Sequence, residues 1–336
     1  MLGRFRSPRD LAFGAYRRSY VRAYWALGER LPPVRRPQVV ELELTNACNM
    51  ACPHCHRGVM GRSEGFMAPD VFERLVTEIE TYPTCAVRIV GLGESALHPR
   101  APEFIERLRG LPGKVEFTTN GHLFERMTPK EICDSPIDLL GISIDGIDEE
   151  GYRRMRPGGD YRTLLEQVRE FDAYRRANGR KGPEVKIRHV LMPKTTDEQV
   201  ARYKATWEPY CDQVAINVFN PIRTAKGGNP VRRCYELFFL AHVRWNGDVP
   251  LCQYQFVLGP QEILGTLAES SLEAIWASPR LAEMRGLHRR RAFDEMPFCK
   301  ACCNTQCSSA NLAKKRRFEY ARQPIVAAIN KVANII

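Results

Sequence analysis

The chain has 336 residues, 44% of them hydrophobic and 26% charged, with 24 Gly and 23 Pro. This excludes collagen-like, mucin-like and wholly disordered readings and leaves room for one large α/β domain with an appended piece. The formal charge of +11 sits at the two ends: residues 1–37 carry nine Arg against Asp10 and Glu29, residues 314–336 six basic side chains against Glu319. The stretch between is near neutral, so no nucleic-acid partner is expected. No apolar run reaches the roughly 18 residues of a membrane span. No apolar h-region follows Arg4, Arg6 and Arg9, so a cytoplasmic location is expected.

The first expected element is an amphipathic helix over 8–31. Phe13, Tyr16, Tyr20, Tyr24, Leu27 and Leu31 recur at steps of three or four, with Arg17, Arg18 and Arg22 on one flank. Pro32, Pro33 and Pro37 end it and lead into an extended run, Val39-Val40-Glu41-Leu42-Glu43-Leu44. Strand-like and helix-like segments then alternate to about residue 225. Val87–Val90, Val115–Thr118, Leu139–Ile144, Val185–Leu191 and Val214–Val218 read as strands. Ala101–Leu111, with Phe104, Ile105 and Leu108 inward, and Tyr161–Arg176 read as helices. Such alternation implies parallel strands joined by crossovers, hence an α/β sheet or barrel.

Lys226-Gly227-Gly228-Asn229-Pro230 reads as a linker. Beyond it, Val243-Arg244-Trp245 and Val249-Pro250-Leu251 flank Asn246-Gly247-Asp248, a hairpin signal. Residues 271–287 read as helical, and the last 20 residues as a second basic helix with Ile325, Ile329 and Val332 on one side. The expected divisions are 1–37, 38–225, 226–313 and 314–336.

Twelve cysteines in a reducing compartment point to metal ligation or catalysis rather than disulfides. Cys48, Cys52 and Cys55 form C-x3-C-x2-C directly after a strand. Three thiolates on one short loop suit three irons of a cubane 4Fe–4S cluster, leaving the fourth iron open. Zinc is the alternative, with His54 or His56 as the fourth ligand. Cys85, Cys133 and Cys211 read as buried small hydrophobes.

With this motif the sequence resembles the radical SAM superfamily, in which the open iron chelates S-adenosylmethionine (SAM). His54 stands where an aromatic residue usually precedes the third cysteine, and keeps a flat ring there. The resemblance implies a partial (β/α)6 TIM-like barrel over 38–225. Gly91-Leu92-Gly93-Glu94 resembles the motif that binds the methionyl amino group, with Ser95 replacing a frequent proline. Thr119-Asn120-Gly121 and Ser143-Ile144-Asp145-Gly146 resemble two further strand-end signatures, which implies cofactor contacts for Gly91, Gly93, Glu94, Asn120 and Ser143. Arg156 is expected to pair with the SAM carboxylate.

Downstream, Cys234-x12-Gly247-x4-Cys252 resembles the opening of SPASM and twitch extensions, small cysteine-rich domains that hold auxiliary iron–sulfur clusters. Leu264-Gly265-Thr266 and Ser271-Leu272-Glu273-Ala274-Ile275-Trp276 resemble the segment between their halves. One auxiliary 4Fe–4S cluster is expected on Cys234, Cys252, Cys299 and Cys302, with Cys303 or Cys307 as substitutes. A zinc knuckle on the same thiolates is the alternative.

The implied chemistry is hydrogen abstraction by a 5′-deoxyadenosyl radical, with electrons from a flavodoxin- or ferredoxin-type donor. Single-cluster twitch enzymes of similar layout act on aminocyclitols and sugars. The expected substrate is therefore a polar small molecule, dehydrogenated or epimerised. Ribosomal-peptide maturation is a second reading. A third is a peripheral protein whose basic helices dock weakly on anionic lipid, acting on a lipid-linked sugar. Arg188, His189, Asn217 and Arg223 fall near late strand ends, where barrels build sites. Arg223 is the substrate-binding candidate, and His189 reads first as a core histidine.

Overall fold

The computed structural model describes residues 35–82, 85–179, 181–192, 195–218, 234, 236–258 and 261–301. The expected helices at 8–31 and over the last 20 residues, and the linker at 226–230, lie outside them. None of the helices described is long and apolar enough to cross a membrane.

Six strands run in chain order: β1 (Val39–Leu42), β2 (Ala86–Ile89), β3 (Val115–Thr119), β4 (Leu139–Ser143), β5 (Glu184–Leu191) and β6 (Gln213–Val218). Each pairs in parallel with the next. A seventh, β7 (Leu240–Val243), adds in parallel to the free side of β1, giving the order β6-β5-β4-β3-β2-β1-β7. This is the expected α/β partial barrel, extended by one strand.

The strands carry two chemistries on alternate residues. Val40, Leu42, Val87, Ile89, Phe117, Leu140, Ile142 and Ile187 are completely buried and face the helices. Their neighbours on the other face are polar: Glu41, Arg88, Glu116 and Arg188. Because a parallel sheet is covered on both faces, this second face is the barrel interior.

The helices complete the outer layer. α1 (Pro69–Glu80) starts with proline at its first turn and buries Phe72, Leu75, Val76 and Ile79, spaced 3, 1 and 3 apart. Phe72 stacks at 4.0 Å on Phe104 of α2 (Ala101–Arg107). α3 (Pro129–Asp134) is closed by a capping box between Thr128 and Glu131. α4 (Glu149–Met155) and α5 (Tyr161–Ala177) begin at the Asp148 and Asp160 side chains. A second capping box, Thr196 with Gln199, opens α6 (Asp197–Trp207).

Two expectations are corrected. The segments around Asn246-Gly247-Asp248 turn as expected, with Gly247 at φ 84°, but do not form a two-stranded hairpin. β7 is committed to β1, and β8 (Asp248–Pro250) pairs antiparallel with β9 (Ile263–Thr266). The turn therefore hands the chain from the barrel to a small separate sheet. The 271–287 helix is two: α7 (Leu272–Trp276) and α8 (Pro279–Arg290). Pro279 cannot continue the first, and Ser278 caps the second through the Leu281 N–H.

Candidate active site at the barrel mouth

The cysteine loop leaves β1 through Thr45 and Asn46, both fully buried. The Asn46 side-chain amide donates to Ser63 O at 2.8 Å and accepts the Gly65 N–H at 2.9 Å. The Thr45 hydroxyl donates to Gly65 O at 2.6 Å, and Arg57 Nε to Asn46 O at 2.9 Å. Residues 46–65 are thus a hoop tied shut at its base. On it, Cys48 and Cys52 are half-buried and Cys55 is exposed, all three as free thiols. Burial pushes the Cys48 thiol up and the Cys52 thiol to about 11, the nearby Arg156 opposing the latter. Thiolates here need a cationic partner, which is what ligated iron supplies.

The β2 and α4 ends are shaped to this hoop. A Cβ on Gly93 would meet the carbonyl oxygens of Ala47 and Thr45 at 2.5 Å. One on Gly158, at φ 97°, would meet Asn49 O at 2.6 Å. Glu94 is buried and collects three donors: the Thr119 hydroxyl at 2.9 Å, and the N–H groups of Ala96 at 3.1 Å and Asn120 at 2.6 Å. Burial still outweighs them and pushes its carboxyl up to about 7. The Asn120 amide donates to Asn49 Oδ1 at 2.8 Å. Ser143 lies half-buried at the end of β4.

Asp145, just beyond β4, is completely buried and joins three elements. It accepts from Arg156 Nη2 at 2.6 Å and Nε at 2.9 Å, from the Val190 N–H at 2.6 Å, and lies 3.1 Å from His54 Nε2. The Asp145 carboxyl is held far below the usual carboxylate range: burial opposes ionisation, and the Arg156 and His54 contacts outweigh it. Arg156 thus has a partner within the chain that the sequence reading did not anticipate. His189 is buried against Tyr203, ring centroids 4.2 Å apart, with Nδ1 3.3 Å from Ile144 O. Asn217 is exposed, and Arg223 lies outside the described residues.

Downstream, Cys299 is buried and Cys234 and Cys252 are half-buried. The Cys234 N–H donates to His288 Nδ1 at 3.3 Å, and His288 Nε2 lies 3.3 Å from Cys299 Sγ. Since Nδ1 accepts, the ring proton sits on Nε2, facing that sulfur. Burial pushes His288 down to about 4, so the ring is neutral at pH 7. Burial, and after it the Glu236 and Cys252 charges, pushes the Cys234 thiol up. Cys302, Cys303 and Cys307 lie outside the described residues. Among the described residues, no three His, Cys, Asp or Glu side chains are grouped as for a single metal ion, whereas a cubane takes one thiolate per iron.

The two cysteine regions meet directly. His56, just after Cys55, makes an edge contact with Tyr254, two residues after Cys252, at 6.2 Å. Behind them lies a cavity of about 40 Å³ whose lining includes Glu43, Arg62, Leu92, His242, Arg244 and Tyr254. It adjoins a chain of charges across the barrel: His242 Nδ1 lies 3.0 Å from Glu41, Arg88 3.4 Å from Glu41 and 3.3 Å from Glu116, and Arg188 bonds Glu116 and, at 3.2 Å, Thr118. The His242 ring is not turned to align a hydrogen bond with Glu41. Of these residues sequence reading named only Arg188 for the barrel site, near a strand end; charges alternating with Val and Leu in a parallel strand are the signal that finds the others.

Residues 42–204 match the model of the radical SAM superfamily, and residues 234–303 that of the SPASM iron–sulfur cluster-binding domain. The chain is a radical SAM superfamily enzyme. A tungsten-containing aldehyde ferredoxin oxidoreductase cofactor-modifying protein of Pyrococcus furiosus is 21% identical over 311 residues, covering 78% of this chain and 86% of the relative. A probable GTP 3′,8-cyclase of Methanococcus maripaludis is 29% identical over 129 residues, and the chain spans only 43% of that relative's length, 38% of its own. The structure of Streptococcus suis SuiB bound to S-adenosylmethionine shares the fold, at TM-score 0.63 and 15% identity, over 94% of this chain and 82% of that one. As a radical SAM enzyme with a SPASM region, the protein works with SAM, a SAM-binding 4Fe–4S cluster and an auxiliary cluster. The residues present fit that set: free thiols on a tied hoop, glycines where backbones touch, and a buried acceptor beside them.

Proposed function

We propose that Cys48, Cys52 and Cys55 hold the SAM-binding cluster, and that Cys234, Cys252, Cys299 and Cys302 hold the auxiliary one. SAM would lie against Gly91, Gly93, Glu94, Asn120 and Ser143. Glu94 accepts the methionyl ammonium there, with its orientation fixed by Thr119 and the Asn120 N–H. Asp145 engages Nε and Nη2 of Arg156, which leaves Nη1 for the methionyl carboxylate. When bound, these groups supply a 5′-deoxyadenosyl radical that removes a hydrogen atom from a substrate C–H bond.

The substrate is a polar small molecule, a sugar or aminocyclitol, that is dehydrogenated or epimerised. The observation that carries this reading is the cavity whose lining runs from Leu92 to Tyr254 beside Cys252, backed by the charged barrel interior. Charged and hydrogen-bonding walls suit a hydroxylated substrate, and buried polar groups reject one that leaves them unpaired. In the dehydrogenation branch a base would take the hydroxyl proton, and the cluster held by Cys234, Cys252, Cys299 and Cys302 would supply the electron acceptor. In the epimerisation branch it regains a hydrogen atom from a thiol.

Turnover in D2O with sugar and aminocyclitol candidates tests this. Epimerisation places one deuterium on carbon at unchanged redox level, and dehydrogenation gives a product two mass units lighter. 5′-Deoxyadenosine formed with a peptide and with none of these candidates would overturn the small-molecule assignment.

A further inference from the structure

The residue that stands out is Arg244. It follows β7, is 8% exposed, and lines the cavity beside Leu92 and Tyr254. Its side-chain contact is to a neutral group, the Gln261 amide oxygen. Among the described residues no carboxylate lies within ion-pair distance of it. A buried guanidinium without an anion is costly.

The neighbouring carboxylates, Glu43 and Asp248, offset its burial only in part. Arg62 grips Glu43 with two parallel bonds, Nη1 and Nη2 each 2.9 Å from a carboxylate oxygen. Glu43 also accepts the Leu92 N–H at 3.3 Å. Its charge is therefore spent on Arg62, and the other carboxylate of the wall, Glu41, faces His242 at 3.0 Å and Arg88 at 3.4 Å, so neither is an ion-pair partner of Arg244. Arg62 Nε is buried with no partner, a second idle donor at the same wall. Burial, and after it the Arg62 charge, pulls Arg244 down to about 10, yet it remains a cation at pH 7.

We infer that Arg244, with Arg62 beside it, forms a subsite for an anionic substituent of the substrate, a carboxylate or phosphate group. The size agrees. About 40 Å³ exceeds the roughly 10–15 Å³ that one water needs, and it suits one small charged group whose parent molecule extends into the barrel. A guanidinium offers paired donors that match both oxyanions. The inference rests on the small-molecule reading for the parent molecule, but not for the anion.

The test is calorimetric titration of the reconstituted full-length enzyme, with SAM bound, using glucuronate, glucose 6-phosphate, glucose and inorganic phosphate. Wild type should bind at least one of the anions. Arg244→Gln should weaken it by about tenfold or more, the worth of a charge-assisted pair, and Arg244→Lys should retain part of it. Glucuronate against glucose 6-phosphate identifies the preferred oxyanion. Unchanged iron content and SAM affinity in the variants show that the fold is intact and that the anion is not the SAM carboxylate. Anion binding equal in wild type and Arg244→Gln, no anion binding at all, or loss of SAM affinity in Arg244→Gln would each overturn the subsite. Phosphate binding that depends on Arg244, with neither sugar anion bound, would leave the subsite standing and remove the sugar assignment.

Discussion

Gly141 of β4 lies directly beneath the Arg188 guanidinium of β5: a Cβ there would come within 3.0 Å of Nε and 3.1 Å of Cζ. The missing side chain lets Arg188 cross over β4 and bond Glu116 on β3. Gly141→Val should therefore destabilise the enzyme by about 1–3 kcal/mol despite valine's strand propensity. The loss should shrink when Arg188→Met is already present. Urea unfolding of the two single variants and the double variant measures that coupling.

Gly93→Ala places a methyl against backbone carbonyls that cannot move aside as a side chain can. The hoop must shift, and iron per chain after anaerobic reconstitution should fall together with SAM affinity. Gly110→Ala is the control. Gly110 has a positive φ, 89°, which Gly93 does not, and open space around it, so it should lose some stability and keep its iron.

Asp145 is the buried hub of the site. Asp145→Asn leaves the Arg156 charge uncompensated and should cost roughly 3–5 kcal/mol. Adding Arg156→Met should recover most of the stability but not SAM binding. A double variant no more stable than Asp145→Asn in urea would contradict the pairing.

Burial pushes the Glu41 carboxyl up, but His242 and Arg88 outweigh it and hold it below its ordinary 4.5. A depressed acid contributes stability that is complete above 4.5 and lost as pH falls through its folded value. The wild-type urea midpoint should therefore drop more steeply below pH 4.5 than that of Glu41→Gln. The two curves should run parallel near pH 7.

Iron and labile sulfide settle the two cluster sets. Wild type should hold about eight irons, and Cys48/Cys52/Cys55→Ala about four. Cys252/Cys299→Ala should also hold about four and keep SAM binding.

The strands were legible because Val, Ile and Leu recur in short runs between turn signals, and the cysteine spacing carried the chemistry. The boundaries of β2 to β6 lie within about one residue of expectation. Of the charged barrel face only Arg188 was read. Glu41, Arg88, Glu116, and His242 with Arg244 come from four separate segments, and only the register shows that they meet. α1 and α6 were missed as well, although Pro69 and the Thr196–Gln199 capping box marked their starts. The hairpin reading failed for a different reason. Asn-Gly reports a turn and says nothing of which strand each arm will pair with, and β1 competed successfully for β7.

That β1–β7 ladder also bears on how the molecule is made. Val39–Leu42 and Leu240–Val243 stand far apart in the chain, so during synthesis β1 waits with one edge open while five further strands emerge from the ribosome. An unpaired edge is a template for wrong pairing, and late closure of a long loop slows folding. The strand that seals it comes just after Cys234. The nascent barrel should therefore depend on chaperone shelter until the downstream cysteine region has arrived, and ribosome-stalled chains ending before Leu240 should be the species such chaperones hold.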